Sequence, residues 1–180
     1  MHGGVVFIAG VYGVGKSTLC NMLSNSLQIP AFSSGDLISE KNGEKYGANK
    51  TVKDKEYNQL LLVSAVEEKL IGSPEMILAG HFCIFSLVNE VEILPEFVYK
   101  ELHLSRIILL EADAAVIIDN LQNRDNKNYS LKDIKELLDA ENLQAKKIAT
   151  ELNIPLITHK MNFDESDFEQ IISVIKGSDT

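Results

Sequence analysis

Gly10, Gly13, Gly15, Lys16 and Ser17 are the residues whose types and spacing carry the most chemistry in this chain. The run Gly10-Val11-Tyr12-Gly13-Val14-Gly15-Lys16-Ser17-Thr18 fits G-x-x-x-x-G-K-[ST], a phosphate-binding loop. Glycines let the backbone turn tightly and bring its N–H groups against phosphate oxygens. A helix starting near Lys16 adds unpaired N–H groups and a positive dipole end at the same place. Lys16 supplies a charge for β- and γ-phosphates, and Ser17 an oxygen for Mg²⁺. The expected ligand is a nucleoside triphosphate, ATP with Mg²⁺, on residues 10–18.

The elements needed to position that loop follow from periodicity. Val5–Ala9 is an apolar, β-branched run that reads as a buried strand, and Lys16–Leu27 has helical spacing. Further strands are expected at 30–33, 76–79, 106–110 and 154–158, and helices at 56–71, 96–104, 113–123, 131–151 and 164–176. Ser130 reads as the N-cap of the helix over 131–151, with Asp133 at its third position. The polar stretch 40–55 reads as an exposed, mobile segment. Strands alternating with helices predict an α/β fold with a parallel sheet of five strands covered on both faces, in one domain over 1–180.

Composition narrows the partners. The chain has 180 residues and a formal net charge of −9, which disfavours non-specific binding to nucleic acid or an anionic membrane face. A polynucleotide substrate fits poorly, because no basic stripe with aromatics is present. No apolar run is long enough to span a membrane. Cys20 and Cys83 have no metal or redox spacing and read as reduced core residues, so a cytoplasmic location is expected. Arginine, the usual planar phosphate clamp, occurs only as Arg106 and Arg124.

The opening Ile8–Thr18 resembles that of archaeal-type adenylate kinases and the wider nucleoside monophosphate kinase group. Ser33-Ser34-Gly35-Asp36-Leu37-Ile38 is similar to the stretch that opens their acceptor site, and Leu109–Asp113 followed by Asn123-Arg124-Asp125 resembles the strand leading to their LID. The resemblance implies a three-layer P-loop kinase fold, an acceptor-side segment over 39–57 and a short LID over 123–129. It also implies transfer of the γ-phosphoryl of Mg-ATP to a small acceptor, AMP or another nucleotide. Lys16, Asp36 and Arg124 would act in transfer. The sequence departs from the pattern at three places. Ser39 stands where the family has an arginine, the LID region offers Arg124 with Lys127, and the strand over 76–79 ends in Gly80-His81 without an aspartate.

Several residues carry a plain alternative. Asp36 would orient the acceptor, or cap a helix from Leu37. His81 faces the cleft, or packs at a strand end. Glu111 ends a strand in the form of a Walker B acid, yet reads as structural because its strand leads to the LID while the preceding strand flanks the phosphate-loop strand. Lys50, Lys53 and Lys55 would replace the missing arginine, or form a solvated face. A second function of another class also fits: a nucleotide-binding module or slow NTPase acting through a protein partner.

Overall fold

The structure is a computed structural model that describes residues 3–43, 55–86, 88–125 and 128–177. Its centre is β1, Gly4–Ala9, all six residues of which are buried, as an uninterrupted apolar strand requires. β1 pairs in parallel with β3, Glu75–Gly80, on one side and with β6, Leu104–Glu111, on the other. β2, Ala31–Ser33, extends the sheet beyond β3, and β7, Leu156–Lys160, extends it beyond β6. The result is the expected five-stranded parallel sheet, in the order β2-β3-β1-β6-β7. The strand carrying Glu111 therefore also flanks the phosphate-loop strand, which the sequence had placed beside the third strand alone.

The helices are α1, Lys16–Leu27; α2, Ser34–Asn42; α3, Lys55–Gly72; α4, Phe97–Glu101; α5, Ala114–Asp125; α6, Leu131–Leu152; and α7, Glu165–Gly177. α1 packs with α7, α2 with α3, and α5 with α6. The α6 start is the expected cap: the Ser130 hydroxyl accepts from Asp133 N at 3.0 Å. Leu19, Leu23, Ile77, Leu78, Ile107, Ile108, Leu137 and Ile148 belong to one continuous core around the sheet. Among the described residues no helix is long and apolar enough to cross a membrane.

Three expectations change. The helix over 96–104 shrinks to Phe97–Glu101, because His103 turns the chain at φ 53° and Leu104 joins the sheet beside Val5. The last strand starts later than 154, because Ile154 N still donates to Ala149 O and completes the end of α6. The helix near Asp36 begins at Ser34, so Asp36 lies inside its first turn and is not its cap. An antiparallel hairpin of β4, Cys83–Phe85, and β5, Val91–Ile93, stands apart from the main sheet and has no counterpart in the sequence reading. Of the segment expected over 39–57, residues 39–42 finish α2 and 55–57 open α3, while 44–54 lie outside the described residues. Lys50 and Lys53 lie there too, and Lys55 pairs with Glu92 of β5.

Candidate active site

β1 ends at the point where the chain's connections diverge to the two halves of the sheet, the position at which open α/β sheets bind ligands. Residues 10–15 leave β1 there and lead into α1. Gly13 has φ +78°, and a Cβ on it would stand 3.0 Å from Leu121 Cγ. Only glycine fits without strain. Asn120 of α5 donates to Gly13 O at 2.9 Å and fixes the middle of the loop. Among the described residues no side chain caps α1 and no acid lies in its first turn, so the helix presents the positive end of its dipole at the loop. The Lys16 ammonium folds back over the loop and donates to Gly10 O at 2.6 Å and Val11 O at 2.8 Å.

This loop forms one side of a cavity of about 580 Å³, within the range of small-ligand sites. Tyr12, Gly13, Gly15, Lys16, Ser17 and Thr18 line it, as do Asp36 and Arg124. The structure thus brings these sequence-predicted residues together. Gly10 and Val14 are buried and are not among the lining residues, and Gly10 N donates to the Glu141 carboxylate instead. Of the LID expected over 123–129, residues 123–125 end α5 and 126–127 are outside the described residues.

The far wall comes from α2, α3 and the β4–β5 hairpin, through Ser34, Asn58, Gln59, Ile84 and Phe85. His81 also lines the cavity and packs on Tyr12, with ring centroids 4.4 Å apart. The Tyr12 ring continues into a stack with Phe85 at 6.5 Å, and Phe85 with Tyr129 at 6.2 Å. Ser39 is buried and does not line the cavity. Glu111 accepts from Asn142 and lies away from this cavity, which agrees with its structural reading.

Two sets of residues were not singled out from sequence. Phe163 lines the cavity beside Gly15 and sits at φ 64°, an unusual conformation for an aromatic residue. Its loop is held by Asp167, 2% exposed, which accepts from Asn162 N at 2.9 Å and Phe163 N at 2.7 Å and meets His159 Nε2 at 2.7 Å. Burial raises the Asp167 pKa, but these hydrogen bonds outweigh it and hold the carboxyl below the usual range. Glu141 of α6 is 1% exposed and accepts from Gly10 N, Phe82 N and Cys83 N. Burial pushes its pKa up to about 7, against the pull of those amides and of Lys16. A signal for Glu141 existed: it falls on the inward stripe of α6 with Ile134, Leu137, Ala145 and Ile148.

Comparison with known proteins places this geometry. Residues 9–138 match the family described as AAA domain. An adenylate kinase of Thermoplasma volcanium is 24% identical over 177 residues, covering 94% of this chain and 98% of its own. One from Thermoplasma acidophilum is 23% identical over 176 residues, covering 93% and 96%. Among solved structures, a shikimate kinase from Aquifex aeolicus superposes with a TM-score of 0.63 at 16% identity, over 97% of each chain. A gluconokinase from Sinorhizobium meliloti superposes with a TM-score of 0.55 at 11% identity, over 99% of each. With residues 9–138 matched, and a phosphate loop at the switch point of a five-stranded parallel sheet, the chain belongs to the AAA-domain family and has the fold shared with the P-loop kinases it superposes on.

Proposed function

We propose that the protein transfers the γ-phosphoryl group of ATP to a small acceptor held against Asp36. The observation that carries this reading is that one cavity is lined by Lys16, Ser17 and Thr18 on one side and by Asp36 on the other. The triphosphate would lie on the amides of residues 13–18, with the Lys16 ammonium leaving the Gly10 and Val11 carbonyls for its β- and γ-oxygens. The base would sit between α5 and the loop after β7, beside Arg124 and Phe163. The residues fit Mg²⁺, since Ser17 is exposed at the helix start and offers a hard oxygen donor. When bound, the ion neutralises charge on the phosphates.

In transfer, an acceptor oxygen bonds to the γ-phosphorus while the bond from that phosphorus to the β,γ-bridging oxygen breaks, releasing ADP. With a hydroxyl acceptor, Asp36 takes the proton. Arg124 would approach the transferring group from the end of α5 and offset its charge. Among the described lining residues of the far wall, Asp36 is the charged side chain, next to Asn58, Gln59 and Ser34. That wall supports a hydroxyl-bearing acceptor as well as a nucleoside monophosphate. The names of the Thermoplasma relatives favour AMP, and the shikimate kinase and gluconokinase neighbours favour a small hydroxy acid.

A single-turnover assay with γ-labelled ATP, run against AMP, other mononucleotides and small hydroxy acids, tests the proposal. Label moving to one acceptor class supports it. Ser39 favours the second reading, a nucleotide-binding module or slow NTPase serving a protein partner, because no arginine stands at that place on α2. Binding with hydrolysis alone, and transfer to nothing on the panel, selects that reading.

A further inference from the structure

A carboxylate on the inward face of an amphipathic helix is costly unless its oxygens are fully engaged. Glu141 meets that condition with backbone donors: Gly10 N at 3.1 Å, Phe82 N at 2.9 and 3.0 Å to its two oxygens, and Cys83 N at 2.8 Å. These amides stand behind two separate walls of the cavity, on residues that do not line it themselves but lead to ones that do, His81 and Ile84 on the hairpin side and Tyr12 and Gly13 of the loop on the other. Gly10 opens the phosphate loop, and its carbonyl accepts from Lys16 Nζ at 2.6 Å, so its amide and carbonyl are held by groups of opposite charge. Phe82 and Cys83 follow His81 and open the hairpin that brings Ile84 and Phe85 to the far wall. Gly10 itself has little room to move, since a Cβ there would meet Leu110 O at 2.7 Å and Val14 Cγ1 at 2.9 Å. An apolar side chain at 141 would fill the same space and leave those three amides without an acceptor.

We propose that Glu141 is a positioning residue for phosphoryl transfer: its carboxylate locks the first peptide of the phosphate loop and the turn into the β4–β5 hairpin in one frame, and so sets where Lys16 stands relative to the acceptor wall. The inference rests on the nucleotide-site reading above. The ionisable groups that face the carboxylate are Lys16 from the start of α1, Cys83 from β4 and Tyr99 from α4. The role differs from packing. A packing residue sets how much protein is folded, whereas a positioning residue changes the affinity of the folded protein.

The test is titration calorimetry with Mg-ATP on the wild type, Glu141→Gln and Glu141→Asp, each checked as folded by circular dichroism at the working temperature. Gln keeps the shape but replaces one accepting oxygen with a group that cannot accept. Its Mg-ATP dissociation constant should rise about 10- to 100-fold, the equivalent of about 1.4 to 2.8 kcal/mol. Asp keeps both oxygens on a shorter stem and should bind roughly 3- to 10-fold more weakly than the wild type, a smaller loss than that of Gln. Unchanged affinity in a folded Gln variant overturns the proposal. So does tighter binding, the result if Glu141 were only a buried negative charge repelling phosphate. If Gln does not fold, Asp decides: a several-fold loss supports positioning and an unchanged constant refutes it. A wild type that gives no binding with Mg-ATP overturns the nucleotide site and this inference together, which separates that failure from the others.

Discussion

The two halves of the cavity are built in opposite ways. The nucleotide half is a local construction, in which residues 10–18 supply the turn, the helix start, the ammonium and the hydroxyl within a single β–α unit. The acceptor half is assembled from α2, α3 and a hairpin that come from distant parts of the chain, with Asp36, Asn58 and Phe85 meeting only in the folded state. A phosphate chain makes the same demand wherever it binds: closely spaced amides and a cation. An acceptor can be any small molecule, so the surface that holds it answers to no fixed spacing. The half that binds the common ligand can therefore be read from a motif, while the half that sets specificity depends on tertiary structure.

The largest effect should come from the nucleotide half. Lys16→Ala removes the only cation within the motif and should lower turnover about 1,000-fold, the upper range for losing one preorganised donor to developing charge. Single-turnover transfer measures this, and wild-type rates in the variant would remove the phosphate-loop assignment. The acceptor half should respond differently. Asp36→Asn should slow transfer about 100-fold, the low end for losing a general base. Its Mg-ATP affinity, read by calorimetry, should stay within about 3-fold of the wild type, since Asp36 lies on the other wall. If both parameters fall together, the halves do not act separately.

Legibility followed the same division. The phosphate loop and α1 stood in the sequence because a few residue types at fixed spacing specify both. The α6 cap was equally visible, since Ser130 and Asp133 are neighbours whose bond forms within one turn. The hairpin escaped because strands of three residues are too short to show a period. Phe163 escaped because the left-handed turn that presents it depends on Asp167, four residues away, whose role appears only once the loop is closed. Glu141 lies 131 residues from Gly10, and no local pattern could pair them. Its one visible mark was an acid at a core position of a strongly amphipathic helix, which departs from the rule that such faces are apolar.

A milder substitution sharpens the comparison within the nucleotide half. Gly13→Ala adds a methyl group at φ +78° against Leu121 and Ile117. The conformational cost is about 1–2 kcal/mol. If the loop yields to relieve it, Mg-ATP affinity should fall roughly 10-fold, the equivalent of 1.4 kcal/mol. Transfer from bound ATP at saturation should change less, because the acceptor wall is untouched. An equal loss at saturating ATP would mean that the loop's shape is felt across the cavity.

The smallest effect is the dependence of stability on pH, and it concerns the residue that joins the halves. Burial raises the Glu141 pKa from 4.5 to about 7 in the folded protein. Between those values the folded state keeps a proton that the unfolded chain releases. Its contribution to stability is thus full below pH 4.5, falls as pH rises towards 7 and is lost above it. Asp167, whose pKa is lowered, has the opposite sign and acts only below its ordinary value of 3.8. Cys83 is pushed up to about 12 and Tyr99 well above 10, so both stay neutral throughout. From pH 5 to 8 the Glu141 component should be on the order of 2 kcal/mol, or roughly 5 °C in melting temperature. Glu141→Gln has no proton to lose there, so thermal melts at a series of pH values should show a flatter slope in the variant. An identical slope in both proteins would place the titrating group elsewhere, and the two walls would then be held together by a carboxylate whose charge does not change near neutral pH.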